Sequence, residues 1–228
     1  NSIISSNTST IPLSILTQEM SDSMKADFCI THFFNPVRFM RLLEIVETPT
    51  MNKDKMDGLR DFCKNELGKG IVNCNDTPGF IGNRIGVYAM QVAMYEALER
   101  GLPVEIADAL FGRPLGIPKT GVFGLYDLIG IDLMKDVLAS FKKELQENDP
   151  FMDVVKPHPL VEQLLEKGYN GNKGPGGFYQ TTIVDGEEHV KAMNTSDMSY
   201  YDFDKVDLEI ARRVEKEGIK ALLDDDSE

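Results

Sequence analysis

Apolar residues in the first third of the chain occur in short, dense runs that are typical of buried β-strands. The run 28–34 combines β-branched and aromatic residues and ends at Asn35-Pro36, which is a common strand terminator. Residues 52–67 instead repeat their apolar positions at helical spacing. We therefore predict an α/β fold, with strands at 2–5, 28–34, 40–46 and 71–74, a short helix from Pro12 and a helix at 52–67.

The pattern changes at residues 76–79, where the sequence is DTPG. From 80 to 100 apolar residues occur on most faces of a helix, which predicts a helix buried on several sides and capped by Asp76 or Thr77. Gly and Pro then separate further helices near 103–111, 122–129, 131–147 and 158–167, and a Gly-dense structural loop follows at 168–179. Residues 181–200 are polar and poorly periodic, and 203–223 predict an amphipathic helix.

These patterns predict α/β plus all-α organisation in three parts. The α/β part covers 1–77, the helical domain covers 78–180, and a polar linker with an amphipathic helix covers 181–228. With 228 residues and 42% hydrophobic content, the chain can bury a substantial core.

Composition excludes several classes of function. The net charge of −13 argues against a nucleic-acid partner, because phosphate binding needs clustered basic side chains. The 3 cysteines have no CxxC spacing, so neither a disulfide nor a metal site is expected. No apolar run reaches the roughly 18 residues of a membrane span, and the first residues lack the basic start of a signal peptide. We therefore expect a soluble cytoplasmic protein without a membrane partner.

His32 and Glu44 are polar residues inside predicted apolar strands. His32 lies near the end of its strand, and ligands of open α/β sheets bind at the carboxyl ends of strands. Glu44 lies on the next strand, at a separation that can bring the two side chains together, so that the carboxylate would orient the imidazole and fix its tautomer. The alternatives are a buried histidine bonded to a backbone carbonyl and a glutamate that faces outward from an edge strand.

Ser6 and Asn83 complete a set of polar side chains suited to removing a proton from an alcohol. Ser6 lies in SSNTS after the first strand, and Asn83 lies in DTPGFIGNR on the 80–100 helix. A buried Asn needs a hydrogen-bond partner, which can be a ligand or a neighbouring loop. The polar residues of the SSNTS turn could instead cap the helix that follows, and we prefer this role for Ser9 and Thr10.

Five segments together resemble the 3-hydroxyacyl-CoA dehydrogenase family of fatty-acid β-oxidation. They are SSNTS, HFFNPV, LLEIV, DTPGFIGNR and the late GPGGFY, in this order over residues 2–180. The resemblance implies that the α/β part is the C-terminal part of a Rossmann-type NAD-binding domain. It also implies that the all-helical domain forms the interface of a homodimer and part of the substrate cleft.

The resemblance implies that NAD is the cofactor and that (S)-3-hydroxyacyl-CoA is oxidised to 3-oxoacyl-CoA. His32 would be the general base that takes the 3-hydroxyl proton, and Glu44 would orient it. Ser6 and Asn83 would hydrogen-bond the oxygens of the acyl-CoA substrate. The implied cofactor-binding residues are Ser6, Asn7, Asn35 and Pro36.

The N-terminal Gly-rich half of the family's NAD-binding domain does not occur in this sequence. We therefore expect an internal segment of a large bacterial multifunctional protein in which the dehydrogenase is fused to an enoyl-CoA hydratase. An alternative is a catalytically silent fragment that acts as a helical assembly and acyl-CoA-binding module. A more distant one is a dehydrogenase related to 6-phosphogluconate dehydrogenase, whose base is a lysine on the helix that here carries Asn83 and Arg84.

Overall fold

The computed structural model describes residues 2–115, 119–156, 158–218 and 220 of this chain. The chain divides into two compact units, Asn1–Tyr88 with Ser140–Met152 and Ala89–Ala139 with Asp153–Glu228. The strands are β1 Ile4–Ser6, β2 Phe28–Phe33, β3 Leu42–Val46, β4 Gly70–Asn73, β5 Tyr179–Val184, β6 Glu187–Met193 and β7 Tyr200–Asp202. The helices are α1 Leu13–Leu16, α2 Asp22–Lys25, α3 Lys53–Asn65, α4 Gly82–Glu99, α5 Val104–Leu110, α6 Phe123–Ile129, α7 Ile131–Glu144, α8 Pro159–Glu166 and α9 Glu209–Glu217.

The first unit contains a sheet with the strand order β1-β2-β3-β4. The pairs β1–β2 and β3–β4 are parallel, and β2–β3 is antiparallel. The predicted strands and the helix at 52–67 are therefore confirmed, whereas the short helix α2 was not predicted. Within the antiparallel pair the register places His32 directly opposite Glu44.

Alternate side chains of β2 and β3 face two different apolar clusters, as the two-residue period of a strand requires. Cys29, Leu43 and Ile45 pack with residues of α3 on one face. Phe28, Ile30 and Val46 pack with Leu13 and Phe80 on the other. His32 and Glu44 continue the second series, so both side chains lie on the face that α1 and Phe80 cover.

The sequence predicted that Asp76 or Thr77 caps the helix that follows them, and for Asp76 this prediction is wrong. Its carboxylate instead accepts the backbone N–H groups of Leu13 and Ser14 at the start of α1. Pro12 precedes α1 and offers no side-chain cap, so a carboxylate distant in sequence satisfies these N–H groups. Local sequence patterns cannot reveal such a long-range cap.

Burial of α4 is one-sided, which corrects the prediction of burial on several sides. Val87, Met90 and Met94 are buried in the described chain. A stripe of four apolar residues is more than a third exposed, and its members are Ile81, Ile85, Tyr88 and Val92. The presence of apolar residues on most faces of a helix therefore does not show that each of these faces is buried. No helix among the described residues combines the length and apolar character that a membrane crossing requires.

The second unit holds a buried carboxylate at the end of α6. Asp127 is 2% exposed and accepts the backbone N–H groups of Phe178 and Tyr179 at 3.0 and 2.7 Å. Gly177 must be glycine here, because a Cβ atom would lie 2.0 Å from Oδ1 of Asp127. The Gly-dense loop therefore serves packing around Asp127, which agrees with its interpretation as a structural loop.

Residues 181–200 are not the irregular linker that the sequence predicted. They supply most of an antiparallel three-stranded sheet, β5-β6-β7. Most of the β5–β6 hairpin is exposed on both faces, so the pattern of alternating apolar residues is weak. The missed signal is Asp185-Gly186, where both residues have positive φ, as a tight hairpin turn requires. In addition, α9 is shorter than the predicted 203–223, part of which lies outside the described residues.

We predict that the stability of the second unit depends on pH through Asp127. Burial raises the pKa of Asp127 to about 7, although two backbone N–H bonds oppose it. A raised pKa means that the folded state holds the proton more tightly. The resulting contribution to the free energy of unfolding is present below about pH 4 and is lost as the pH rises through 7.

The variant Asp127→Asn is neutral at every pH and provides the reference for this prediction. Thermal melts of both proteins from pH 5 to 8 should show the parent losing roughly 5 °C in Tm relative to the variant. Parallel Tm curves would show that Asp127 is ionised throughout this range.

Candidate active site

The side chains of His32 and Glu44 form a buried pair. Nδ1 of His32 lies 2.7 Å from Oε2 of Glu44, and the two residues are 5% and 0% exposed. Directly opposed residues on an antiparallel pair share one face of the sheet, so the register alone produces this contact. The geometric prediction from the sequence is therefore confirmed, and neither alternative arrangement occurs.

The second carboxylate oxygen of Glu44 is bound to the start of α4. Oε1 accepts the backbone N–H groups of Ile81 at 3.0 Å and Gly82 at 2.6 Å. Burial alone would raise the pKa of Glu44, but the bonds from His32, Gly82 and Ile81 outweigh it and hold the pKa below its ordinary value. Glu44 is thus an anion near neutral pH, and an anionic carboxylate can only accept. Nδ1 of His32 must therefore carry the proton.

The backbone before α4 has an unusual conformation that permits these two contacts. Gly79 and Phe80 have φ values of 73° and 49°. A positive φ is uncommon for a bulky residue and indicates a conformation that the surroundings impose. The Phe80 ring is 2% exposed in the apolar cluster beside β2, which provides that constraint.

Cys74 is a further neighbour of the pair, just after β4. Its Sγ lies 3.7 Å from Oε1 of Glu44. Burial, followed by the adjacent Glu44 charge, raises the pKa of this thiol to about 11, so it remains a neutral donor. No sequence pattern connects Cys74 with Glu44, because the register of β3 and β4 brings them together.

Asn83 lies in the first turn of α4, next to the amides that bind Glu44. Its Nδ2 donates to the carbonyl of Ser9 at 3.2 Å, which joins α4 to the turn that carries Ser6. Arg84 forms two hydrogen bonds, at 2.9 and 2.8 Å, with the carboxylate of Asp149. Arg84 therefore forms a structural ion pair within the first unit.

Ser6 and Asn7 lie at the carboxyl end of β1, which runs parallel to β2. The Ser6 hydroxyl accepts the backbone N–H of Thr8 at 3.3 Å, and Oδ1 of Asn7 accepts the N–H of Phe33 at 2.9 Å. Both side chains thus help to form the edge of the sheet near His32. The structure links the four predicted residues through a chain of contacts that runs from His32 through Glu44 and α4 to the Ser6 turn.

Asn35 and Pro36 follow β2 and are exposed, and a cis peptide bond joins them. Lys69 supports the adjacent backbone, because its Nζ donates to the carbonyls of Val37 and Met40 at 2.5 and 2.8 Å. The involvement of Asn35 and Pro36 in cofactor binding stays a prediction. Among the described residues, no group of three or more His, Cys, Asp and Glu side chains could hold a metal ion.

Sequence reasoning missed the aromatic rings around His32. The ring centroid of Phe34 lies 4.5 Å from that of the imidazole, and that of Phe80 lies at 5.8 Å. The sequence His32-Phe33-Phe34 contained a signal for the closer of these rings. Phe34 lies two residues after His32, so in an extended chain both side chains point to the same side. The site thus comprises an imidazole with a bound carboxylate on one nitrogen and apolar rings around it, an arrangement suited to general base chemistry.

The family models that match this chain belong to one family. Residues 1–77 match "3-hydroxyacyl-CoA dehydrogenase, NAD binding domain", and residues 79–181 match "3-hydroxyacyl-CoA dehydrogenase, C-terminal domain". Together these models cover most of the chain, and they confirm the family resemblance and the predicted fold class.

Similar proteins and solved structures agree with these models. A putative fatty acid oxidation complex trifunctional enzyme of Rickettsia felis is 40% identical over 208 residues, which is 91% of this chain and 29% of that protein. The mitochondrial hydroxyacyl-coenzyme A dehydrogenase of Rattus norvegicus is 35% identical over 79% of this chain and 55% of its own length. The crystal structure of M. tuberculosis FadB2 has a TM-score of 0.67 and 29% identity, over 79% of this chain and 60% of that chain. The chain thus spans less than two thirds of each of these proteins.

Proposed function

Because this chain belongs to the 3-hydroxyacyl-CoA dehydrogenase family, we propose that it provides the proton-transfer site for NAD-dependent oxidation of (S)-3-hydroxyacyl-CoA to 3-oxoacyl-CoA. The observation that carries the proposal is the buried contact of 2.7 Å between His32 and an anionic Glu44. Oxidation of a secondary alcohol requires a base for the hydroxyl proton, and a neutral imidazole is suited to that role near neutral pH.

The proton in the proposed reaction moves from the 3-hydroxyl oxygen of the substrate to Nε2 of His32. Nδ1 already donates to Glu44, so Nε2 is the nitrogen with a free lone pair. Glu44 then stabilises the imidazolium that forms, since an opposite charge at short distance favours the charged form. Burial of the pair strengthens this attraction relative to water.

Ser6 and Asn83 are the proposed ligands of the substrate oxygens. One N–H of the Asn83 amide is bonded to Ser9, which leaves a second N–H and the carbonyl oxygen of that amide. The Ser6 hydroxyl accepts from Thr8, so its own O–H can still donate. Both groups could therefore hold a carbonyl or hydroxyl oxygen near the imidazole.

The residues at the carboxyl ends of β1 and β2 suit the nicotinamide part of NAD, since dinucleotides bind beyond the carboxyl ends of strands in Rossmann-type folds. Ser6, Asn7, Asn35 and Pro36 would hold it there, and Asn35 and Pro36 are exposed and accessible. Bound there, NAD would supply the acceptor for the hydride from C3 of the substrate. Selection of NAD over NADP rests on the family description.

The proposed partners follow from the same relationship. They are an acyl-CoA thioester, an enoyl-CoA hydratase fused to this chain in a longer protein, and a second copy of this chain bound through the helical domain. The exposed apolar stripe of α4 supports the proposed contact with a second copy. The proposed division of the chain is 1–77, 78–180 and 181–228. A cytoplasmic location stays a prediction from the sequence.

Activity can be tested with acetoacetyl-CoA and NADH, by following the loss of NADH absorbance. Two proteins are needed, the 228-residue chain and a chimera in which this chain replaces the matching segment of the Rickettsia felis relative. Turnover by the chimera supports the dehydrogenase. Binding of the thioester without turnover in either protein would instead support the silent acyl-CoA-binding module.

A further inference from the structure

Two aromatic side chains from different elements pack against the imidazole of His32. Phe34 follows β2, and its ring is tilted by 55° to the imidazole at a centroid distance of 4.5 Å. Phe80 precedes α4, and its ring is tilted by 54° at 5.8 Å. Both distances lie in the range of favourable contacts between rings.

The hydrogen bond to Glu44 sets the approximate orientation of the imidazole, at 2.7 Å from Nδ1 to Oε2. Its Cβ attachment and this one bond still allow the ring to rock by a small angle, which displaces Nε2. Proton transfer depends strongly on the position of the base, and a displacement of about 1 Å can cost a large factor in rate. Contacts with the ring faces and edges can supply the missing restraint.

We infer that Phe34 is a positioning residue of the proposed reaction, which it serves by restricting the orientation of the His32 ring. The inference rests on the proposed role of His32 as the base. Phe34 lies closer to the imidazole than Phe80 does, and its ring occupies the space beside Gly82, where a Cβ atom would lie 2.5 Å from Cζ of Phe34. The Phe34 ring therefore extends from His32 to the helix turn that binds Glu44.

Phe80 has a structural role that explains its burial without any role in positioning. It is 2% exposed and belongs to the apolar cluster of Leu13, Phe28, Ile30 and Val46. Phe34 is half-buried and is not among the residues that form or pack against the two clusters of the first unit. A change at Phe34 therefore tests ring positioning with less disturbance of the core.

Phe33 offers a matched control on the same strand. Its side chain packs against the other cluster of the sheet and lies under Nζ of Lys69, 5.7 Å from the ring centroid. Phe33→Leu therefore removes the same amount of aromatic surface as Phe34→Leu, one residue away and on the opposite face. Phe34→Tyr retains a ring beside His32 and serves as the rescue variant.

The first test measures side-chain order in the 228-residue chain by NMR relaxation of the Cε1–H bond of His32. The order parameter should be near 0.85 in the parent, Phe34→Tyr and Phe33→Leu, and should fall below about 0.6 in Phe34→Leu. An unchanged value in Phe34→Leu, or an equal fall in Phe33→Leu, would overturn the inference. This readout involves no catalysis, so it is independent of whether His32 is the base.

The second test measures turnover in the chimera. Phe34→Leu should lower kcat by about 10-fold to 100-fold while the KM for acetoacetyl-CoA changes by less than about twofold. Phe34→Tyr should recover most of kcat, and Phe33→Leu should keep it. Loss of order with an unchanged kcat would refute positioning for catalysis, whereas failure of the proposed base itself would be seen in the His32 variants.

Discussion

Replacing His32 with Gln in the chimera is expected to lower kcat by about 10²–10⁴-fold, the usual contribution of a general base. Gln is similar in size and polar, but it has no nitrogen that can take a proton near neutral pH. Because the side chain of His32 is buried against Glu44, Phe34 and Phe80, water has little access as a replacement base. The measurement is the steady-state rate with acetoacetyl-CoA and NADH, the reverse reaction, in which His32 would return the same proton to the 3-oxo oxygen.

His189→Gln is the control for the His32 variant, since His189 lies on the exposed part of β6. It should keep kcat within about twofold. A His32→Gln enzyme that retained kcat within threefold would remove His32 from the mechanism. A rise in KM with an unchanged kcat would assign His32 to binding, which also contradicts the proposed role.

Replacing Glu44 with Gln is expected to cost nearly as much, by reversing the tautomer of His32. The Gln carbonyl oxygen can still accept from the amides of Ile81 and Gly82, which places its NH₂ group toward His32. Nδ1 must then accept, so the proton moves to Nε2 and the base loses its free lone pair. An imidazole held in the wrong tautomer loses about 10²–10⁴-fold in kcat.

Glu47→Gln provides a matched control just after β3. Glu47 is partly exposed and pairs with Arg60 at 2.9 Å, so its loss removes a charge near the sheet without touching the imidazole. It should leave kcat unchanged within about twofold. If Glu44→Gln also had wild-type kcat, the carboxylate would have only a structural role.

The central geometry of the site was predictable because local patterns determine it. An apolar β-rich run ending at Asn35-Pro36, and a second run after a short turn, can pair as antiparallel neighbours. The two-residue period of a strand then places His32 and Glu44 on one face. No comparable pattern reports the amides of Ile81 and Gly82, because a carboxylate bound by backbone groups has no signature in the sequence.

The errors in the predicted fold have similar physical causes. Asp76 caps α1 across more than sixty positions of sequence, and such contacts depend on tertiary packing. The β5–β6 hairpin is mostly exposed, so its strands lack the apolar alternation that identifies a half-buried strand. The positive φ of Phe80 is imposed by the burial of its ring, and the preceding Gly79 was its only visible sign.

The most direct test of the account is the tautomer of His32 in the free chain. Long-range ¹H–¹⁵N NMR spectra of the 228-residue protein distinguish protonated from unprotonated ring nitrogens, and His32→Gln identifies the signals among the 3 histidines. At a pH where the ring is neutral, we expect a proton on Nδ1 and an unprotonated Nε2. A neutral His32 with its proton on Nε2 would contradict the account, because neither the bond to Glu44 nor a base facing the substrate could then exist.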